Sequence, residues 1–104
     1  QYFLEHKIKQ VALYGMGGEA KRFLQMSKDF NIEICYGIDR KPNQLLPICY
    51  MPTDKLPNVD AILITNRMGI KEIKSNLKNY TEIKSISIQE DILEKSLNYY
   101  YSDI

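Results

Sequence analysis

Histidine is almost missing from this chain: His6 is the only one among 104 residues. There are two cysteines, Cys35 and Cys49, and they form no C-x-x-C pair. So few nitrogen and sulfur ligands exclude an ordinary zinc site, which needs several at short, regular spacing. His6 lies among Glu5, Lys7 and Lys9, the surroundings of an exposed, inert side chain. The cysteines sit in the apolar stretches IEICYGI and LLPICYM. They read as small buried hydrophobes in a reducing compartment, with a disulfide or redox pair as the alternative.

Charge of one sign is missing too. Lys and Arg number 14 against 13 Asp and Glu, a formal net charge of +1. A broad grip on nucleic acid needs a clearly basic face, so that partner is not expected, although a local anion site remains open. No apolar run approaches the roughly 20 residues that span a bilayer, and no signal peptide is visible. No membrane span and a cytoplasmic location are therefore expected. The chain opens on Gln1 rather than Met, which reads as a piece of a longer protein.

What is present is ordinary for a globular chain: 44% hydrophobic and 26% charged residues. That is enough for one domain with one core. Residues 1–10 read as a linker or helix tail from a preceding region, 11–98 as the domain, and 99–104 as a tail. Val11–Tyr14 and Ala61–Thr65 are almost wholly apolar and predict central strands of a parallel sheet, buried on both faces. Ile32–Ile38 predicts a second strand. Ile48–Met51, between Pro47 and Pro52, predicts an edge strand. Glu82–Ile88 predicts a fifth.

Between them, Ala20, Phe23, Leu24, Ser27 and Phe30 recur at helical spacing, with Asn31 as a stop signal. Arg40–Leu46, with Lys41, Pro42 and Asn43, is a turn. Ile70, Ile73 and Leu77 mark a helix that Thr65 or Asn66 can cap, with Gly69 weakening its first turn. Ser87 and Glu90 have capping-box spacing ahead of Ile92, Leu93 and Leu97. Tyr99–Tyr101 is open between a fraying end, a contact with the rest of a longer protein, and a homodimer contact.

Strands alternating with helices imply right-handed parallel crossovers. The expected fold is α/β, a Rossmann-like three-layer sandwich with a mostly parallel five-stranded sheet in the order 3-2-1-4-5. The order reverses between the first and fourth strands, where such folds place their ligand crevice.

Tyr14-Gly15-Met16-Gly17-Gly18-Glu19-Ala20 follows a strand and opens a helix, and Gly15, Gly17 and Ala20 fit G-x-G-x-x-[G/A]. Gly15 permits the tight turn, Gly17 leaves room for a pyrophosphate at the backbone, and Ala20 lets the helix lie close to the strand. The helix start then offers free N–H groups and a positive dipole end to an anion. Asp39 ends the next strand about 20 residues on, where an acid can hold an adenosine ribose. Arg40 and Lys41 beside it blur NAD against NADP. Glu19 would crowd a bound phosphate. Thr65, Asn66 and Arg67 leave the fourth strand on the crevice side, where Arg67 is either a phosphate partner or solvated.

The candidate contacts for NAD or another nucleotide are thus Gly15, Met16, Gly17, Gly18, Asp39, Arg40, Thr65 and Asn66. Equally open is that the glycines only make the turn and Asp39 only caps the next one. Tyr80 and Lys84 have the Y-x-x-x-K spacing of short-chain dehydrogenases, but they fall on different elements. No Ser-His-Asp set, G-x-S-x-G elbow or metal site is present.

The runs VALYGMGGEAKRFL, YGIDRKP, LPNVDAILIT and ISIQEDIL resemble a Rossmann-like module of bacterial surface-polysaccharide proteins. Sugar-nucleotide-modifying enzymes, sialic-acid-type acetyltransferases and some glycosyltransferases and methyltransferases carry such a module. The resemblance spans about Val11 to Leu93. It implies a nucleotide-binding accessory domain beside a catalytic domain on the same polypeptide, with Gly15, Gly17 and Asp39 at the contact positions. The acetyltransferase relatives have a G-G-H-G type turn, whereas this chain has Gly17-Gly18-Glu19-Ala20 without a histidine. The alternative is a ligand-free interaction domain attached to a glycosyltransferase-like protein.

Overall fold

Strand alternation sets the two faces of the sheet. In β1 (Gln10–Tyr14) and β4 (Ala61–Ile64) successive side chains point to opposite sides. Val11, Leu13, Ala61 and Leu63 enter one core cluster, while Ala12, Tyr14, Ile62 and Ile64 enter the other. Neither strand could face water on either side, so both lie in the middle of the sheet. The computed structural model describes residues 2–41 and 45–94. Pro42 and Asn43, Leu97, and Tyr99–Tyr101 lie outside the described residues.

The five strands are all parallel and ordered β3-β2-β1-β4-β5, with β2 at Glu33–Ile38, β3 at Cys49–Tyr50 and β5 at Ser85–Ser87. This is the expected α/β Rossmann-like order. β1 and β4 run in register, Leu13 opposite Leu63. Against β2 the register shifts between Val11 and Ala12. Asp60 ties the start of the β1–β4 pair together, since its Oδ2 accepts from both Lys9 N–H and Gln10 N–H at 2.9 Å. The Gln10 and Lys9 N–H groups hold its carboxyl below the usual aspartate range.

On the first face lie α1 (Tyr2–Glu5), α2 (Gly18–Met26) and α4 (Ile88–Glu94), the last with wide π-type turns. Phe3, Ile8, Ala20 and Phe23 are buried in that core, and Ile88 and Ile92 pack against it. Phe3 and Ile8 come from the segment expected to be a lead-in, so they belong to the domain's own core. On the second face lie α3 (Ile70–Lys78) and the 51–60 loop, which contribute Leu77 and Val59. Tyr36 packs there as well, and its hydroxyl donates to the Pro57 carbonyl at 2.6 Å. Burial pushes its pKa up to about 12.

Several boundaries differ from the periodicity reading. The helix expected through Phe30 ends at Met26 and passes into a 3₁₀ turn, Ser27–Asp29, whose Ser27 hydroxyl donates to the Leu24 carbonyl. The third and fifth strands are shorter than their apolar runs. Both are sheet edges, and backbone carboxylate bonds end them: Met51 N–H donates to Asp54 Oδ2 and Ser87 N–H to Asp91 Oδ2, each at 2.7 Å. Ser87 does cap the next helix, accepting from Glu90 N–H at 3.0 Å. Lys74 of α3 meets Asp91 of α4 at 2.7 Å and so joins the two helical layers around the β5 edge.

The cysteines are both free and half-buried, so burial is less complete than their apolar neighbours suggested. Cys35 packs against one core cluster and Cys49 against the other, on opposite sides of the sheet, which rules out a bond between them within the chain. His6 is exposed and stacks on Tyr2 with ring centroids 4.0 Å apart. No described helix is long and apolar enough to cross a membrane, and no described cluster of His, Cys, Asp and Glu could hold a metal ion.

Candidate functional site at the glycine turn

The turn from β1 to α2 lies where the strand order reverses, between β1 and β4. Gly15 N–H donates to the Ile38 carbonyl at 2.8 Å, so the chain leaves β1 still bonded to β2. Gly15 then takes φ +88, a conformation that favours glycine. It is also enclosed: a Cβ there would lie 2.5 Å from Asn66 Oδ1 and 2.9 Å from Thr65 Oγ1. Both the dihedral and the space therefore demand glycine at this position.

Met16 turns inward. Its side chain is buried, and its sulfur occupies the space a Cβ on Gly37 would need. Its N–H donates to Asp39 Oδ2 at 2.8 Å, while Lys41 N–H donates to Asp39 Oδ1 at 3.1 Å. Asp39 thus holds the glycine turn and its own turn at once. Arg40 is exposed beside it and lines a separate surface groove with Tyr14, Met51 and Pro52.

Asp39→Ala is expected to destabilise the folded chain as well as change any ligand contact. It removes the carboxylate that accepts the Met16 N–H, and a hydrogen bond to a charged group contributes about 1.5–3 kcal/mol. Urea unfolding of the variant should show that loss. A midpoint equal to wild type would mean the bond to Met16 carries no net stability.

Gly17 and Gly18 differ from Gly15. Gly17 is the N-cap of α2 with φ −93 and ψ −155, extended backbone that any residue adopts, and no side chain caps the helix. A Cβ on either glycine would meet nothing within 4 Å. Neither the fold's dihedrals nor its packing calls for glycine at these two places. Lys21 N–H donates to the Gly17 carbonyl, which starts the helical ladder. The N–H groups of the first turn precede that ladder and have no intrahelical acceptor.

Thr65 and Asn66 also have definite places. Thr65 is buried, and its hydroxyl is shared between the carbonyls of Tyr14 at 2.9 Å and Gly15 at 3.2 Å. It latches β4 to the turn and cannot cap α3. Asn66 is exposed, with its side chain over Gly15. α3 instead starts from Gly69, in the left-handed region at φ +68, without a side-chain cap. The cap therefore lies four residues beyond Thr65 and three beyond Asn66, and Gly69 is what turns the chain into the helix.

Arg67 and Arg22 both reach Glu19. Arg67 Nε lies 3.4 Å and Arg22 Nη1 3.9 Å from Glu19 Oε1. All three side chains are largely in water, so these pairs contribute little stability. Arg22 is absent from the sequence-derived site; it sits one helical turn after Glu19, and that spacing was the available signal. Tyr80 and Lys84 are exposed on either side of the α3–β5 connection, so they form no pair on one helix face.

The site thus has an open helix start, the cluster of Arg22, Arg67 and Glu19 beside it, and a scaffold made by Asp39 and Thr65. It presents no nucleophile with an adjacent base. Compared with protein families, curated proteins and solved structures, the chain matches none.

Proposed function

We propose that this domain binds the phosphate of a nucleotide or NAD(P) at the start of α2, as an accessory domain of a larger protein. The observation that carries this reading is the pair Gly17–Gly18, which faces open space in dihedrals that need no glycine. Absent side chains at a helix start let an anion reach the backbone N–H groups. The phosphate end of such a ligand fits. The ribose end meets Asp39, whose two oxygens already accept backbone N–H bonds and retain lone pairs for a hydroxyl. Surface-polysaccharide or sugar-nucleotide metabolism is the setting the sequence motifs suggest, with a catalytic domain on the same polypeptide as partner and a cytoplasmic location.

A second reading is favoured by the same Asp39 bonds: the turn is a self-sufficient structural unit, and the domain joins other domains or copies without a ligand. NMR titration with NAD, NADP, a UDP-sugar and CoA separates the two. Amide shifts at Gly17 and Gly18 with any of them support the first reading; none at millimolar ligand sinks it.

Glu19→Gln sharpens the test. Glu19 sits between Arg22 and Arg67 and opposes an incoming phosphate. Removing its charge is expected to raise anion affinity roughly threefold to tenfold, about 0.7–1.4 kcal/mol. Unchanged or weaker binding by calorimetry would place the anion elsewhere.

A further inference from the structure

The groove that Arg40 lines has a volume of about 420 Å³ and lies between α3 and the loop after β3. It is on the second face of the sheet, with Tyr14 and Leu77, whereas α2 packs on the first. Tyr14 and Leu77 are its buried lining, 8% and 2% exposed. Met51 and Pro52 add apolar surface, and Arg40 and Tyr80 stand exposed at its rim.

Two polar groups here are left unanswered by the protein. The Tyr14 hydroxyl makes no hydrogen bond to a described residue. No buried side-chain nitrogen or oxygen among the described residues is sealed off without a partner, so this hydroxyl opens into the groove. An occupant that covers it must bond it, because a buried hydroxyl without a partner is costly. Arg40 enters no ion pair among the described residues, whose pairs engage Arg22, Arg67 and Lys74. Its guanidinium fork matches a carboxylate.

The remaining surface sets the body of the ligand. Leu77, Met51 and Pro52 offer hydrocarbon, and Tyr14, Tyr80 and Pro52 are themselves rings. A flat, rigid apolar body packs against such surfaces and has little conformational freedom to lose. We infer that this groove binds a hydroxy-substituted aromatic carboxylate, with its hydroxyl on Tyr14 and its carboxylate on Arg40. The site is separate from the start of α2, and its ligand needs no contact with Gly17 or Gly18.

The test is an NMR-monitored titration of the 104-residue chain with para-hydroxybenzoate, benzoate, phenol and adenosine monophosphate. Para-hydroxybenzoate should shift the Leu77 and Met51 methyls and the Asn76 side-chain amide, and leave the Gly17 and Gly18 amides in place. It should bind roughly threefold to tenfold more tightly than benzoate, which covers the Tyr14 hydroxyl without bonding it. A similar margin over phenol is expected from the bond to Arg40. Tyr14→Phe should bring the first ratio to near one and leave the second. Arg40→Gln should do the reverse. Neither variant removes a bond the fold uses, and a general loss of structure would not move one ratio alone.

Equal affinity for the three ring compounds overturns the inference, as does a first ratio that Tyr14→Phe leaves unchanged. No binding at millimolar ligand overturns it as well. Adenosine monophosphate displacing para-hydroxybenzoate from the same methyls overturns it in favour of a nucleotide that extends from the glycine turn into the groove. Failure of the phosphate reading at Gly17 and Gly18 leaves this inference standing, since those amides report that site alone.

Discussion

Gly15→Ala is expected to destabilise the domain by roughly 2–4 kcal/mol, a large part of the 5–15 kcal/mol typical of such a fold. Two effects add. At φ +88 a side chain is strained, by on the order of 1–3 kcal/mol. The new methyl would also stand 2.5 Å from Asn66 Oδ1 and 2.9 Å from Thr65 Oγ1. Asn66 is exposed and can move aside. Thr65 cannot, because its hydroxyl is held by the Tyr14 and Gly15 carbonyls in the buried latch between β1 and β4. For a domain of this size, melting should fall by about 10–20 °C. Gly18→Ala is the matched control, with open space and no positive φ. It should be neutral, or stabilising by up to about 1 kcal/mol, since alanine is the better helix former. Thermal and urea unfolding of both variants decide the matter. Equal stability of the two would mean the enclosure of Gly15 relaxes freely.

Gly17→Val should leave the domain folded and remove anion binding at the turn. Its backbone at φ −93 and ψ −155 accepts a β-branched residue, and no neighbouring atom stands within 4 Å of the new Cβ. The isopropyl group would fill the space through which a phosphate must approach the first N–H groups of α2. A loss of a hundredfold or more in affinity is expected, equivalent to about 2.8 kcal/mol. The measurement is the amide titration used for the wild type, beside a melting curve within a few degrees of it. Wild-type affinity in a folded Gly17→Val protein would move the anion away from the turn and return Gly17–Gly18 to the status of spare glycines.

Taken together, the two variants separate glycines the fold needs from glycines it does not. The G-x-G-x-x-[G/A] spacing treats Gly15 and Gly17 alike. Only the surroundings distinguish them: Gly15 lies under Asn66 and Thr65, and Gly17 faces outward.

Much of the architecture was determined by the sequence alone, because it is written in neighbouring residues. Val11–Tyr14 and Ala61–Ile64 lack any polar residue to turn toward water, so they had to be central, and the 3-2-1-4-5 order followed. Ser87 and Glu90 are three apart, and the cap between them is local. The tertiary structure decided what depends on distant partners. Asp39 binds Met16, 23 positions earlier, and Thr65 binds Tyr14, 51 positions earlier. No periodicity reports such bonds, so a carboxylate placed for a ribose and a threonine placed for a cap became the fasteners of the turn. Phe3 and Ile8 likewise joined the core because α1 folds back over α2's face, where Phe3 meets Phe23 and Phe30. Chain pattern sets which residues avoid water, but which polar groups remain for a ligand depends on what the folded chain brings against them.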